Sequence, residues 1–159
     1  MSTIALDAID RRILDTLQED SSLTNVKLAE KVGLSPSPCL RRVRILEDAG
    51  IIERYVAVLD HEAVGLGMTA FIEVRLDSKK QRDVKEFEDA VAQLPEVLEC
   101  HIVAGDYDYL LRVVLSDMTR FRQFIMNRVL EMPNIASTRS SFSVGEVKRT
   151  TKLPLTPTP

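Results

Sequence analysis

Residues 24–50 of the chain are TNVKLAEKVGLSPSPCLRRVRILEDAG, and this stretch predicts two short helices joined by a tight turn. Thr24 is suited to cap the first helix, because a threonine hydroxyl can accept a free backbone N–H at a helix start. Gly33 is placed to end that helix, since glycine adopts a positive φ without steric strain. Ser35 starts the second helix with Pro36 at its first position, where the missing N–H costs nothing. The pattern is that of a helix-turn-helix.

The second helix has an inner and an outer face in the predicted structure. The inner face, at helical spacing, contains Leu40, Val43 and Leu46. At 100° per residue, Arg41 points almost directly away from this apolar stripe, and Arg44 lies beside Arg41. Arginines on an exposed helix face read guanine edges or hold phosphates in a DNA major groove. A solvated arginine face on an ordinary helical hairpin is the alternative interpretation.

Positive charge is concentrated on the helix-turn-helix. Residues 24–46 contain five basic residues and one acidic residue, a net charge of +4, whereas residues 1–60 contain eight basic and ten acidic residues, a net charge of −2. Such a local patch favours contact with a phosphate backbone at that place alone. The predicted contacts to double-stranded DNA are Asn25, Ser35, Ser37, Pro38, Arg41, Arg42 and Arg44.

Composition indicates an ordinary globular protein. The 159 residues allow one large domain or two small ones, with 45% hydrophobic and 28% charged residues. Cys39 and Cys100 lie in apolar patterns, which suggests a reducing compartment and no disulfide framework. The N-terminus has no apolar run of the signal-peptide type, and no stretch is long enough to span a membrane. We therefore expect a cytoplasmic location and no membrane partner.

Two domains follow from the order of the patterns. Residues 6–17 have helical periodicity, which adds a third helix to the N-terminal module. Residues 51–60, IIERYVAVLD, are rich in β-branched and aromatic side chains and predict a strand or short hairpin, the wing of a winged helix-turn-helix. Two glycines in residues 61–67 mark a domain boundary. The predicted segments are a DNA-binding domain at 1–60, a second domain at 61–150 and a flexible tail at 151–159.

The second domain alternates between strand and helix periods. The order is β-α-β-β-α-β, the ferredoxin-like arrangement, so the predicted fold class is α+β. Both helices would cover one face of the sheet, and the other face carries Phe71, Val103 and Leu110. A second copy of the chain is the simplest cover for such a face, which predicts at least a dimer.

Three stretches resemble the leucine-responsive regulatory protein family, the Lrp/AsnC transcription regulators. They are DAIDRRIL at residues 7–14, the helix-turn-helix block at residues 25–52, and ECHIVAGDYDYLL at residues 99–111 with the following VLSDM. The resemblance covers about residues 4–150. It implies dimers built by sheet-to-sheet pairing that assemble further into tetramers or octamers, an octamer being a tetramer of dimers. It also implies an amino-acid effector held between neighbouring dimers. The expected effector is leucine or a similar apolar amino acid such as methionine.

The turn Gly105-Asp106-Tyr107-Asp108 is the candidate effector site. Its paired carboxylates could serve acid–base chemistry or a hard cation, but no histidine or third carboxylate is nearby. An aspartate in a turn can also simply bond to the backbone. On the resemblance, Asp108 would hold a ligand ammonium and N–H groups near Gly105 would hold its carboxylate. The predicted effector residues are Ile102, Ala104, Gly105, Asp106, Tyr107, Asp108, Met118, Thr138 and Ser140.

Other chemistry is disfavoured by spacing. Cys100 and His101 are adjacent on a predicted strand and point to opposite faces, and a zinc site needs about four ligands. We therefore predict no metal, no cofactor and no enzyme activity. A sensing module that acts through protein contacts is the alternative to a DNA-binding regulator. The outward Arg41 and Arg44 favour DNA.

Overall fold

The computed structural model describes residues 5–155 and divides the chain into two compact units. The first unit contains residues 5–58 together with 148–155, and the second is Leu59–Val147. The division after residue 58 lies close to the expected boundary. Residues 151–155, expected to be loose, instead bond to the first helix, since Leu153 exchanges hydrogen bonds with the amide of Gln18. Residues 156–159 of the expected tail lie outside the described residues.

Three helices build the first unit: α1 (Ala8–Glu19), α2 (Asn25–Val32) and α3 (Pro36–Asp48). Their buried cluster consists of Ile13, Leu14, Leu28, Ala29, Val32, Cys39, Val43 and Leu46. Leu40 is 39% exposed, so its predicted inward position is wrong. Cys39 takes that position because its spacing to Val43 and Leu46 matches 3.6 residues per turn.

The predicted strand or hairpin over residues 51–60 is not formed. The structure assigns no strand to these residues. A segment of β-type composition becomes a strand only when it pairs with another strand, and residues 51–60 have no such partner in the structure of residues 5–155. Tyr55 packs locally instead, donating its hydroxyl to a Glu47 carboxylate oxygen at 2.8 Å.

The second unit is a four-stranded antiparallel sheet with helices. Its strands are β1 (Met68–Leu76), β2 (Val97–Ile102), β3 (Tyr109–Leu115) and β4 (Ile135–Phe142), in the spatial order β2-β3-β1-β4. Its helices are α4 (Gln81–Val91) and α5 (Met118–Phe124), and a π-helical turn, Ile125–Val129, continues α5. This order and topology confirm the predicted ferredoxin-like fold.

The two faces of the sheet differ in composition. The helix-bearing face of β1 carries the buried Ala70, Ile72, Val74 and Leu76, as the alternation predicts. On the opposite face, Phe71 is exposed and pairs in register with Arg112, while Leu110 is half-buried. Arg112 also forms an ion pair with Glu99 at 2.7 Å, so this face is apolar and charged in turn. Val103 lies one residue beyond the end of β2.

Within residues 5–155, no helix is both long enough and apolar enough to cross a membrane.

Candidate DNA-binding and effector sites

The turn between α2 and α3 is fixed by local backbone contacts. Thr24 caps α2 by accepting the Lys27 N–H at 3.4 Å, as predicted. Gly33 ends α2 with φ +73°, and its N–H donates to the carbonyl of Glu30 at 3.3 Å. A Cβ at Gly33 would meet only an Arg12 side-chain atom, at an ordinary 3.9 Å. The left-handed backbone, and not crowding, therefore calls for glycine at this turn.

Asn25 holds the two helices of the turn together. Its side-chain N–H donates to the carbonyl of Pro36 at 2.8 Å, and the residue is half-buried. The bond joins the first residue of α2 to the first residue of α3. The side-chain N–H of Asn25 is thus engaged inside the module, and the structure does not favour its predicted contact with DNA.

Arg42 joins α3 to the start of α1. One of its terminal nitrogens lies 2.7 Å from an Asp7 carboxylate oxygen and 2.7 Å from an Asp10 carboxylate oxygen, and its side chain is 28% exposed. The pKa of the Asp7 carboxyl lies below its ordinary value, first because the Asp10 N–H bonds to it and then because Arg42 does. Arg42 therefore holds α3 to the start of α1, and its predicted contact with DNA is not favoured. The reason is its position on α3 beside the buried stripe, which turns its side chain toward α1.

The remaining predicted DNA residues form one exposed surface, which we call the outer face of α3. Within residues 5–155, neither Arg41 nor Arg44 forms a hydrogen bond or an ion pair with another side chain. Ser35 caps α3 by position, and its side chain makes no capping bond, so its hydroxyl is available. The exposed members of this face are Ser35, Ser37, Pro38, Arg41 and Arg44. Their geometry matches a recognition helix.

The turn between β2 and β3 is open to solvent on one side. The Val103 N–H donates to the carbonyl of Asp108 at 3.0 Å, and this bond closes the turn. Gly105 has φ +155° and nothing within 4 Å of the place where a Cβ would stand. Ile102, Ala104 and Asp106 are exposed, and Tyr107 is half-buried. Backbone groups at this turn can therefore approach a ligand closely.

Asp108 already has partners for both carboxylate oxygens. One oxygen accepts the Leu76 N–H at 2.9 Å, and the other lies 2.7 Å from the ammonium nitrogen of Lys79. The pKa of Asp108 is lowered, first by the Leu76 N–H and then by Lys79. The arrangement favours the turn-fixing alternative, because a lysine ammonium occupies the place expected for the ligand's ammonium.

The other predicted effector residues lie apart from the turn within one chain. Thr138 on β4 pairs with Val74 on β1. It therefore lies at the opposite edge of the sheet from Ile102 on β2, and the two edges are about 14 Å apart, which is three strand spacings. Ser140 lies on the same edge strand. Met118 follows the far end of β3, on the order of 20 Å from the turn. A single chain therefore does not assemble these residues into one pocket.

Cavities beside α1 and beside α5 lie away from the predicted effector residues. One, of about 580 Å³, lies against α1 in the first unit, and one of about 280 Å³ lies beside α5. Neither is lined by a predicted effector residue. The part of the chain that the structure describes also contains no group of three or more side chains able to hold a metal ion.

Comparison with known proteins identifies the family. A family model described as a winged helix-turn-helix DNA-binding domain matches residues 6–53, and a model described as the Lrp/AsnC ligand binding domain matches residues 69–153. The chain belongs to the Lrp/AsnC family. The leucine-responsive regulatory proteins of Klebsiella pneumoniae and of Escherichia coli strain K12 are each 40% identical over 148 residues, which is 93% of this chain and 90% of theirs.

Solved Lrp/AsnC structures have the same fold. A transcriptional regulator from Neisseria meningitidis, solved as a complex with L-Met, is 46% identical with a TM-score of 0.91, over 95% of this chain and 97% of that one. An AsnC family transcriptional regulator from Agrobacterium tumefaciens is 41% identical with a TM-score of 0.90, over 94% and 97%. The predicted family and fold are thus confirmed. The chain is a transcription regulator with a DNA-binding and a ligand-binding domain, and its family is not one of enzymes.

Proposed function

We propose that the outer face of α3 reads double-stranded DNA, with Arg41 and Arg44 as its main contacts. The observation that carries this assignment is that three neighbouring arginines on α3 have different contacts. Arg42 forms ion pairs with Asp7 and Asp10 within the protein. Arg41 and Arg44 are exposed and have no such partner in residues 5–155. An exposed, unpaired guanidinium on a recognition helix binds a guanine edge or a phosphate at little cost to the fold.

We further infer that the effector is an apolar amino acid, methionine or leucine. The Neisseria relative was solved with L-Met, and the Escherichia relative is named as leucine-responsive. The open turn around Gly105 supplies unhindered backbone groups for a ligand carboxylate, while Met118 offers a flexible apolar contact. Because the predicted effector residues are far apart in one chain, we infer a site completed by a neighbouring chain.

The sheet face opposite the helices supports a homo-oligomer. Among residues 5–155, no helix covers the face of the sheet that carries Phe71 and Leu110, so a second copy of the chain is the inferred cover. Dimers would then assemble further, as an octamer made of four dimers. A ligand bound between dimers stabilises one assembly over another and so alters the spacing of the DNA-binding units. Since the partner is double-stranded DNA, we infer a cytoplasmic location.

The alternative, a sensor acting through protein contacts, makes no use of the outer face of α3. A binding measurement with the DNA upstream of the protein's own gene separates the two. Arg41→Ala should weaken binding by about 1–3 kcal/mol, roughly 5- to 150-fold, if it pairs with a base, or reduce the salt dependence if it holds a phosphate. Arg122→Ala, which removes an exposed arginine from α5, is the matched control and should bind as the unaltered protein does.

Each part of the proposal has its own contrary result. Wild-type affinity of the Arg41→Ala and Arg44→Ala variants for every DNA tested would remove the DNA-contact assignment. The effector is tested by calorimetric titration with L-methionine and L-leucine, followed by the DNA measurement in the presence of each. Absence of heat with both amino acids would remove the effector assignment and leave the DNA-binding role intact.

A further inference from the structure

The C-terminal segment returns to the DNA-binding unit and is held there through its backbone. The side-chain N–H of Gln18 donates to the carbonyl of Leu153 at 3.2 Å, and the Leu153 N–H donates to the side-chain carbonyl of Gln18 at 2.6 Å. One side chain thus satisfies both backbone groups of one residue, as a neighbouring strand would. The Leu153 side chain is 66% exposed, so the contact with Gln18 recognises the backbone of Leu153 and not its side chain.

Charge complements this backbone contact. The Lys152 ammonium nitrogen lies 2.6 Å from a Glu19 carboxylate oxygen and 3.5 Å from an Asp15 carboxylate oxygen. The last turn of α1 contains no basic residue, although the carbonyl end of a helix favours a cation. Lys152 supplies that cation from the other end of the sequence. The pKa of Glu19 is lowered, chiefly by its hydrogen bond from Lys152.

An apolar groove receives the end of the segment. Leu155 is half-buried and packs against the cluster of buried residues that forms the core of the first unit. Leu155 lines the cavity of about 580 Å³ beside α1, together with Thr151 and Leu153. The other apolar side chains that line this groove include Leu6, Leu14, Leu17, Ile51 and Ile52. Burial of Leu155 therefore adds a hydrophobic contribution to the polar contacts.

We propose that residues 151–155, which we call the strap, form a second connection between the ligand-binding and DNA-binding units and transmit the effector response. The chain passes from the first unit to the second at Val58–Leu59, which is the connection in the forward direction. The strap adds a return path, because residues 143–150 lead directly from the end of β4 to Lys152. β4 carries Thr138 and Ser140, so a ligand-linked change in this strand reaches α1 through a short stretch of chain.

The test uses the intact oligomer and the variant Gln18→Ala, which removes both hydrogen bonds to Leu153. Gln93→Ala is the matched control, because it removes an exposed glutamine side chain that lies outside the strap. Hydrogen exchange followed by mass spectrometry should show the amide of Leu153 exchanging roughly tenfold faster in Gln18→Ala than in the other two proteins. Equal exchange in all three proteins would overturn docking of the strap. Lys152→Ala, which leaves α1 unaltered, is the second variant should Gln18→Ala fail to fold.

The coupling role rests on the proposed amino-acid effector and has a separate readout. DNA affinity is measured with and without L-methionine, and binding of L-methionine is measured by calorimetry. We expect Gln18→Ala to bind L-methionine normally and to bind DNA without it within about threefold of the intact protein, while the change in DNA affinity on adding L-methionine falls to less than about a third. An unchanged methionine effect in a variant with a released strap would overturn the coupling. If the intact protein itself does not respond to L-methionine, the effector and the coupling are both overturned, and docking is judged by exchange alone.

Discussion

Replacing Asp108 by alanine distinguishes a structural aspartate from a ligand-binding one. The side chain is 19% exposed and accepts the Leu76 N–H at 2.9 Å, so Asp108→Ala leaves that N–H without its acceptor. A hydrogen bond to a charged group contributes about 1.5–3 kcal/mol to stability. The Lys79 side chain is 76% exposed, and its ion pair contributes only about 0–1 kcal/mol. We expect Asp108→Ala to lose about 2–3 kcal/mol of the free energy of unfolding.

Asp108→Asn is the matched control for charge. The amide oxygen can still accept the Leu76 N–H, so only the ion pair with Lys79 is lost, and the expected loss is about 0–1 kcal/mol. Urea unfolding followed by tyrosine fluorescence measures both variants, because the chain has no tryptophan and Tyr107 and Tyr109 flank the site. All proteins are compared at one concentration, since assembly contributes to apparent stability.

The result that refutes this reasoning is specific. If Asp108→Ala unfolds at the same urea concentration as the unaltered protein yet no longer binds L-methionine, then Asp108 acts on the ligand. The pH dependence gives an independent check. The folded pKa of Asp108 lies below its ordinary value, so its stabilisation is complete above the ordinary pKa of about 4 and disappears as the pH falls through the lowered value. The difference between Asp108→Asn and the unaltered protein should therefore shrink below about pH 4.

Two further substitutions test an ion pair and a buried side chain of the DNA-binding unit. Arg42→Ala should lower the unfolding temperature at neutral pH, because Asp7 and Asp10 lose their partner, and this effect should vanish as the pH falls through the lowered pKa of Asp7; an equal loss at pH 2 and pH 7 would contradict this role of Arg42. Cys39→Ser should cost about 1–3 kcal/mol by placing a hydroxyl in a fully buried apolar site, measured by urea unfolding. In the unaltered protein a thiol reagent should modify Cys100 at once and Cys39 only on unfolding, and rapid modification of both in the native state would show that Cys39 is accessible.

Much of the fold follows from the sequence because its signals are local. Thr24, Gly33 and Pro36 act on backbone groups within one helical turn, so their positions alone locate the helix-turn-helix. The period of two in β1 and the helical period of α4 identify their buried faces in the same way. The family follows from the same stretches, since the motif at residues 25–52 and the GDYD turn occur in one order along the chain.

Tertiary structure decided the roles of individual polar residues. Arg42 and Asp7 are 35 residues apart, Asp108 and Leu76 are 32 apart, and Gln18 and Leu153 are 135 apart. No periodicity or capping rule relates residues at such separations. Ion pairs and hydrogen bonds between a side chain and a distant backbone group are fixed by packing in three dimensions. The sequence therefore determined that arginines occupy α3 and that aspartates occupy the turn. Only the folded chain decided that Arg42 and Asp108 hold the protein together, leaving Arg41, Arg44 and the backbone at Gly105 exposed for other partners.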